Sequence, residues 1–257
     1  MLFLGLSSCN FKKSNVVYDS YKNDKTLALY LAFNGDADDR SNSNFQNKLG
    51  NVSYKMDRFG NNKSAAVFLK NDYLSYGDIL DNVFSGEQKR FTVSFWVKPL
   101  KNKGNVIIIC KNSDPNCEEN ERQFSINSSK DNRIQFLWNY NNSQYKGYRT
   151  FESEDKLIEN VWQNVIITFD GVSYGDDGAS RLSFYLNGTK TKTRFVEKMG
   201  LLGFIEDKKA HFAIGTMVSS VGDTCIDSFF NGSLDDLMIF QRILTKNEIE
   251  QISSLKN

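Results

Sequence analysis

Histidine is almost missing from this chain: His211 is the only one in 257 residues. That nearly excludes a histidine-rich metal centre and lowers the odds of a Ser-His-Asp triad. Proline is scarce too, and the two present, Pro99 and Pro115, fall at predicted strand ends or loops. No run of 18 or more apolar residues occurs, so no helix of the chain is expected to span a membrane. No glycine-rich phosphate cradle is found. Neither sign of charge dominates, with 32 Lys plus Arg against 31 Asp plus Glu. Such a balance offers no long-range attraction for nucleic acid or for an anionic membrane surface.

Aromatic residues are plentiful, with 20 Phe and 11 Tyr, and these favour strands. The length suits one all-β domain, since sandwiches often run to about 200–250 residues. From Leu27 onward, short apolar or alternating runs are separated by Asn, Asp, Gly and Ser, the rhythm of a sandwich or barrel. Phe91, Val93, Phe95 and Val97 alternate with Thr92, Ser94, Trp96 and Lys98 at the strand period of two. Val106–Ile109 is continuously apolar and predicts a strand buried on both faces. Asn187-Gly188 after Leu182–Leu186 predicts a tight hairpin, because a type I′ turn needs positive φ at both central residues. One helix is marked. Thr245 and Glu248 form a capping box, and Ile249, Ile252 and Leu255 follow at helical spacing. His211 precedes a predicted strand, Phe212–Ile214, and reads as a packing or surface residue.

At the N-terminus, Met1–Ser8 is an apolar run ending in Leu6-Ser7-Ser8-Cys9, which resembles a bacterial lipobox. The resemblance implies an exported protein, lipidated on Cys9 and held at the cell envelope, on the outer membrane or the cell surface. Only eight residues precede Cys9, and no Lys or Arg opens the run. Residues 1–9 are therefore read as a signal remnant, 10–26 as a flexible tether and 27–257 as the globular domain. In an oxidising compartment Cys110 and Cys117 could close the loop between them. Cys225 would then be free, or could take either as its partner, since three thiols cannot all pair internally.

The ordered set of motifs resembles the bacterial laminin-G-like, concanavalin A-like jelly-roll domains. It comprises Leu29–Asp39, Asp57–Gly60 with Ala65–Phe68, Phe91–Pro99, Trp162–Val165, Phe184–Gly188, Gly232–Leu237 and the Thr245–Ile252 helix. The resemblance covers residues 27–255 and implies two antiparallel sheets packed face to face with a short C-terminal helix. Domains of this kind bind glycans or proteins, or act as spacers beside enzymes. The family often carries structural calcium between the first loop and the Asp-Asp strand. Asp36, Asp38 and Asp39 would then supply one set of ligands, and Asp235 or Asp236 the other. Strand neighbours point to opposite faces, so only one of Asp235 and Asp236 is expected to reach the ion. The competing reading makes the loop acids solvated and pairs the strand aspartate with an arginine.

Trp138, Tyr140, Tyr145 and Tyr148 stand among asparagines and a glutamine, a mixture suited to stacking on sugar rings and bonding their hydroxyls. Packing across strands is the alternative for these rings. Some relatives of this fold are glycosidases, which need two carboxylates facing one bond, often as Glu-x-Asp-x-x-Glu. Glu118-Glu119-Asn120-Glu121, Asp176-Asp177 and Asp235-Asp236 all lack that arrangement. The expectation is a non-catalytic, lipid-anchored module for glycan or protein ligands, with no nucleic-acid partner and membrane contact only through the lipid. A glycoside hydrolase of the same fold is the alternative, and an architectural spacer the third reading.

Overall fold

The computed structural model describes residues 19–101, 104–113, 122–141, 146–172, 176–200, 203–224 and 228–255, with backbone alone at 140, 141, 146, 176 and 177. Among these described residues, fifteen strands follow in chain order. They are β1 Leu27–Leu31, β2 Ser53–Lys55, β3 Ala65–Phe68, β4 Leu74–Ser75, β5 Arg90–Pro99, β6 Val106–Asn112, β7 Arg122–Ser128 and β8 Arg133–Asn141. Then come β9 Lys146–Lys156, β10 Gln163–Asp170, β11 Leu182–Leu186, β12 Thr189–Thr191, β13 Thr193–Met199, β14 Phe212–Ile214 and β15 Gly232–Phe240. One sheet has eight strands in the order β12-β11-β10-β5-β15-β3-β2, with β1 also on β15; the other has seven, β13-β9-β8-β7-β6-β14-β4. Every pairing between these strands is antiparallel. The two-sheet jelly roll is therefore what the strand pattern predicts.

The local signals act as their chemistry requires. Asn187 and Gly188 both take positive φ, 50° and 80°, and join β11 to β12 in a two-residue hairpin. β6 is buried along its whole length, as its apolar run anticipates. Phe91, Val93, Phe95 and Val97 of β5 point between the sheets into the main core, where they meet Phe124, Phe136 and Trp138 of the opposite sheet. Thr245 caps the C-terminal helix Lys246–Ser254, with both bonds of the capping box present.

The outer face of the eight-stranded sheet is sealed by a second, smaller core. Ile249 and Ile252 of the helix pack there with Tyr30, Ile166, Met238 and Phe240. Ser253 Oγ donates to Asn164 Oδ1 of β10 at 2.7 Å and fixes the helix to the sheet. Tyr21 joins the same cluster, 6% exposed, with its ring 5.3 Å from that of Phe240. Asp24 accepts from Arg242 at 2.6 Å and from Thr26. The tether expected over 10–26 is corrected here: from Asp19 the chain is part of the folded domain, because Tyr21 supplies apolar surface that Phe240 would otherwise expose. Residues 1–18, with Cys9, lie outside the described residues.

Candidate functional site

The five aspartates read as calcium ligands do not share one site. Asp235 and Asp236 meet a cation that the protein supplies itself. Arg58 Nη1 bonds Asp235, and its Nη2 bonds Asp236 at 2.6 Å, with all three side chains no more than 4% exposed. Arg58 Nε donates to the Leu255 carbonyl at 3.0 Å. Its guanidinium lies over the rings of Phe59 and Trp96, at 4.2 and 4.5 Å from their centroids. Asp39 is a turn-forming residue. Its carboxylate accepts from Tyr30 N, Ser41 N, Ser41 Oγ and Phe45 N, at 2.8–3.1 Å. Asp36 pairs with Arg40 at 2.5 Å, and Asp38 is exposed.

Strand alternation was expected to aim only one of Asp235 and Asp236 inward, and that is corrected. β15 bulges after Asp235, and Asp236 takes φ of 43°, so the two carboxylates converge on one guanidinium. Burial, then repulsion from Asp236, pushes the Asp235 carboxyl well above the usual range despite the pull of Arg58. The donor set does not fit calcium. Six to eight oxygens must converge on that ion, whereas the carboxylates of Asp39, Asp235 and Asp236 are already bonded to N–H and O–H groups of the protein. Among the described residues, no group of three or more His, Cys, Asp or Glu side chains is placed to hold a metal ion.

The aromatic platform also divides. Trp138 is fully buried, stacked on Phe151 at 5.7 Å between centroids, so it is a core residue and not a sugar platform. Ile134, Phe136 and Trp138 of β8 face the core, so Gln135, Leu137 and Asn139 face outward. Tyr148 pairs opposite Asn139 and lies on that outer face. Its hydroxyl donates to Glu197 at 3.3 Å, and the negative charge of Glu197 raises its pKa. Tyr140 pairs through its backbone with Gly147, while Tyr145 lies outside the described residues.

Register completes the outer face. Asn127 stands opposite Gln135, Ser125 opposite Leu137, Leu137 opposite Thr150 and Gln135 opposite Glu152. Glu152 is held by Gln135 at 3.1 Å and lies 3.7 and 3.4 Å from Arg133 and Arg194. Asn127 Oδ1, Asn139 Nδ2 and Thr150 Oγ1 have no hydrogen-bond partner within the protein. Unlike the eight-stranded sheet, this face has no helix packed on it among the described residues. Asn127, Gln135 and Thr150 were not singled out from sequence. The signal was present in Gln135 and Asn139, which alternate with three large apolar residues.

Two further residues resolve as structural. Cys110 is a fully buried thiol whose Sγ donates to the Thr216 carbonyl at 3.3 Å, while the Cys117 half of the expected bridge lies outside the described residues. Cys110 sits inside β6, which runs on through Lys111 and Asn112 where a loop was expected. Burial pushes its pKa up to about 12. Cys225 also lies outside the described residues. His211 Nδ1 lies 2.8 Å from Ser75 Oγ beside β14, and burial lowers its pKa.

Two antiparallel sheets, one sealed by a helix and one presenting a polar face, define a lectin-like jelly roll. The chain belongs to the concanavalin A-like lectin/glucanases superfamily, whose family profile matches residues 69–250. Comparison with curated proteins finds no match. Among solved structures, the chain is similar to domain 4 of AbnA, a GH43 extracellular arabinanase from Geobacillus stearothermophilus, in complex with arabinotriose. The identity is 19%, the TM-score 0.56, and the match covers 89% of this chain and 98% of that one. It is also similar to the botulinum neurotoxin serotype D binding domain, at 19% identity and a TM-score of 0.61, over 89% of this chain. A serotype D ligand-binding domain in complex with N-acetylneuraminic acid matches at 18% identity and a TM-score of 0.59, again over 89% of this chain. The chain spans about half the length of these neurotoxin chains, 50% in each case. At such identities the likeness is one of fold.

Proposed function

We propose that this domain is a non-catalytic carbohydrate-binding module of the bacterial cell envelope, tethered through a lipid on Cys9. Its glycan site is the outer face of the seven-stranded sheet. One observation carries the reading: on this side of the sheet Asn127, Asn139 and Thr150 hold buried amide and hydroxyl atoms that find no partner within the protein, beside Tyr148 and Leu137. Sugar hydroxyls both donate and accept, and their C–H faces pack on apolar side chains, so this mixture suits them. The acids and bases of the face are matched, with Glu152 and Glu197 against Arg133 and Arg194. That balance favours a neutral glycan. The glycan complexes among the similar folds support a carbohydrate over a protein ligand.

Glycosidase chemistry finds little support on this face, because Glu152 is committed to two arginines and Glu197 to Tyr148. A glycan array followed by calorimetry tests the proposal. Asn139→Ala or Thr150→Val should weaken binding roughly tenfold, the worth of one hydrogen bond. Release of reducing sugar by the wild-type protein would move the reading to a hydrolase. Absence of binding to any glycan would leave the spacer or protein-ligand reading.

A further inference from the structure

The place where this fold was expected to hold calcium is filled by protein, and the manner of filling carries an inference. An ion there would tie the first loop to the late Asp-Asp strand. Here Tyr30 makes that tie: its backbone N–H donates to Asp39 Oδ1 at 2.9 Å, and its hydroxyl donates to Asp236 Oδ1 at 2.6 Å. Arg58 then supplies the positive charge, using Nη1 and Nη2 on the two carboxylates and Nε on the Leu255 carbonyl just after the C-terminal helix. The rings of Phe59 and Trp96 flank its guanidinium.

We propose that Arg58 is the built-in cation of this domain. Together with Tyr30 it joins the first loop, β15 and the C-terminal helix, so that the fold neither holds nor needs calcium at this place. The fork geometry of a guanidinium suits two carboxylates on separate nitrogens, which a lysine ammonium cannot match in direction. The charges are consistent with this assignment. One guanidinium faces two buried carboxyls, and burial together with the neighbouring Asp236 pushes the Asp235 carboxyl well above its ordinary range.

The test uses the whole chain. Wild-type protein is melted in calcium, in EDTA and in neither, and Arg58→Lys and Arg58→Ala are melted alongside. The expected result is one melting temperature for the wild type in all three buffers. Arg58→Ala should melt roughly 10 °C lower, the scale of a broken buried ion pair in a domain of this size. Arg58→Lys should fall between them and keeps the test alive if Arg58→Ala does not fold. Hydrogen exchange in Arg58→Lys should rise together in residues 36–41, 57–61 and 246–254. Calcium that stabilises the wild type, variants as stable as the wild type, or faster exchange confined to 57–61 would each overturn the proposal.

Discussion

Asp235 and Asp236 are neighbours on one strand, yet both bind Arg58, because β15 bulges between Asp235 and Met238 and Asp236 turns into the left-handed region. Their roles differ. Asp236 also accepts from Tyr30, whereas Asp235 has its carboxyl pushed far upward by burial and by Asp236. Asp236→Asn should therefore lose about 3–5 kcal/mol, as expected when a buried ion pair is broken. Asp235 is the acid whose neutral form burial favours, so the neutral Asp235→Asn should cost less, about 1 kcal/mol, the worth of one hydrogen bond. Chemical denaturation at neutral pH measures both, and equal losses would contradict the asymmetry.

The same pair sets a pH dependence. Asp235 has an ordinary value of 3.8 when unfolded and a much higher one when folded. Above 3.8 the folded state keeps a proton that the unfolded state releases, so stability declines as pH rises toward the raised value. Glu248 acts oppositely. Its bonds to Arg242 lower it from 4.5 to about 2, so its contribution is present above 4.5 and fades as pH falls toward 2. Asp235→Asn should flatten the decline above pH 4 while leaving the acid limb in place. Urea midpoints measured across pH are the readout.

Trp138 and Tyr148, two of the four aromatic residues first grouped as a platform, should separate under mutation. Trp138→Ala should destabilise the fold by about 3–5 kcal/mol, since it empties the core between Phe136, Phe151 and Phe169. Tyr148→Ala should leave the melting temperature nearly unchanged and weaken glycan binding. Thermal melting with parallel binding isotherms distinguishes them. A stable Trp138→Ala that binds poorly would reverse the assignment.

Cys110 should be inert. Its thiol is fully buried and burial pushes its pKa up to about 12, so little thiolate forms at neutral pH. Iodoacetamide should label Cys110 only after denaturation, read by peptide mass spectrometry. Rapid labelling of the native protein would show that β6 opens.

Capping gives a fifth measure. Thr245→Ala removes the bond from Glu248 N and should cost about 0.5–2 kcal/mol. Because Ile249 and Ile252 seal the second core, fraying there should also speed hydrogen exchange at Tyr30 and Met238 on β1 and β15. Exchange confined to the helix would separate the cap from the core.

Much of this protein follows from its sequence alone. Period-two alternation in Phe91–Val97, positive φ at Asn187 and Gly188, and the Thr245 capping box are local rules, and each element formed where those rules placed it. What the tertiary structure alone decided depends on distance along the chain. Arg58 finds Asp235 across 177 residues, a partnership that no local pattern encodes. A bulge, which breaks the alternation that strand reasoning relies on, then turns two acids toward one cation. Trp138 and Tyr148 look alike in sequence, but register sends one ring between the sheets and the other to the surface. Tyr21 lies in a segment too polar to predict order, and it becomes structured only because Phe240 offers its ring a place to pack.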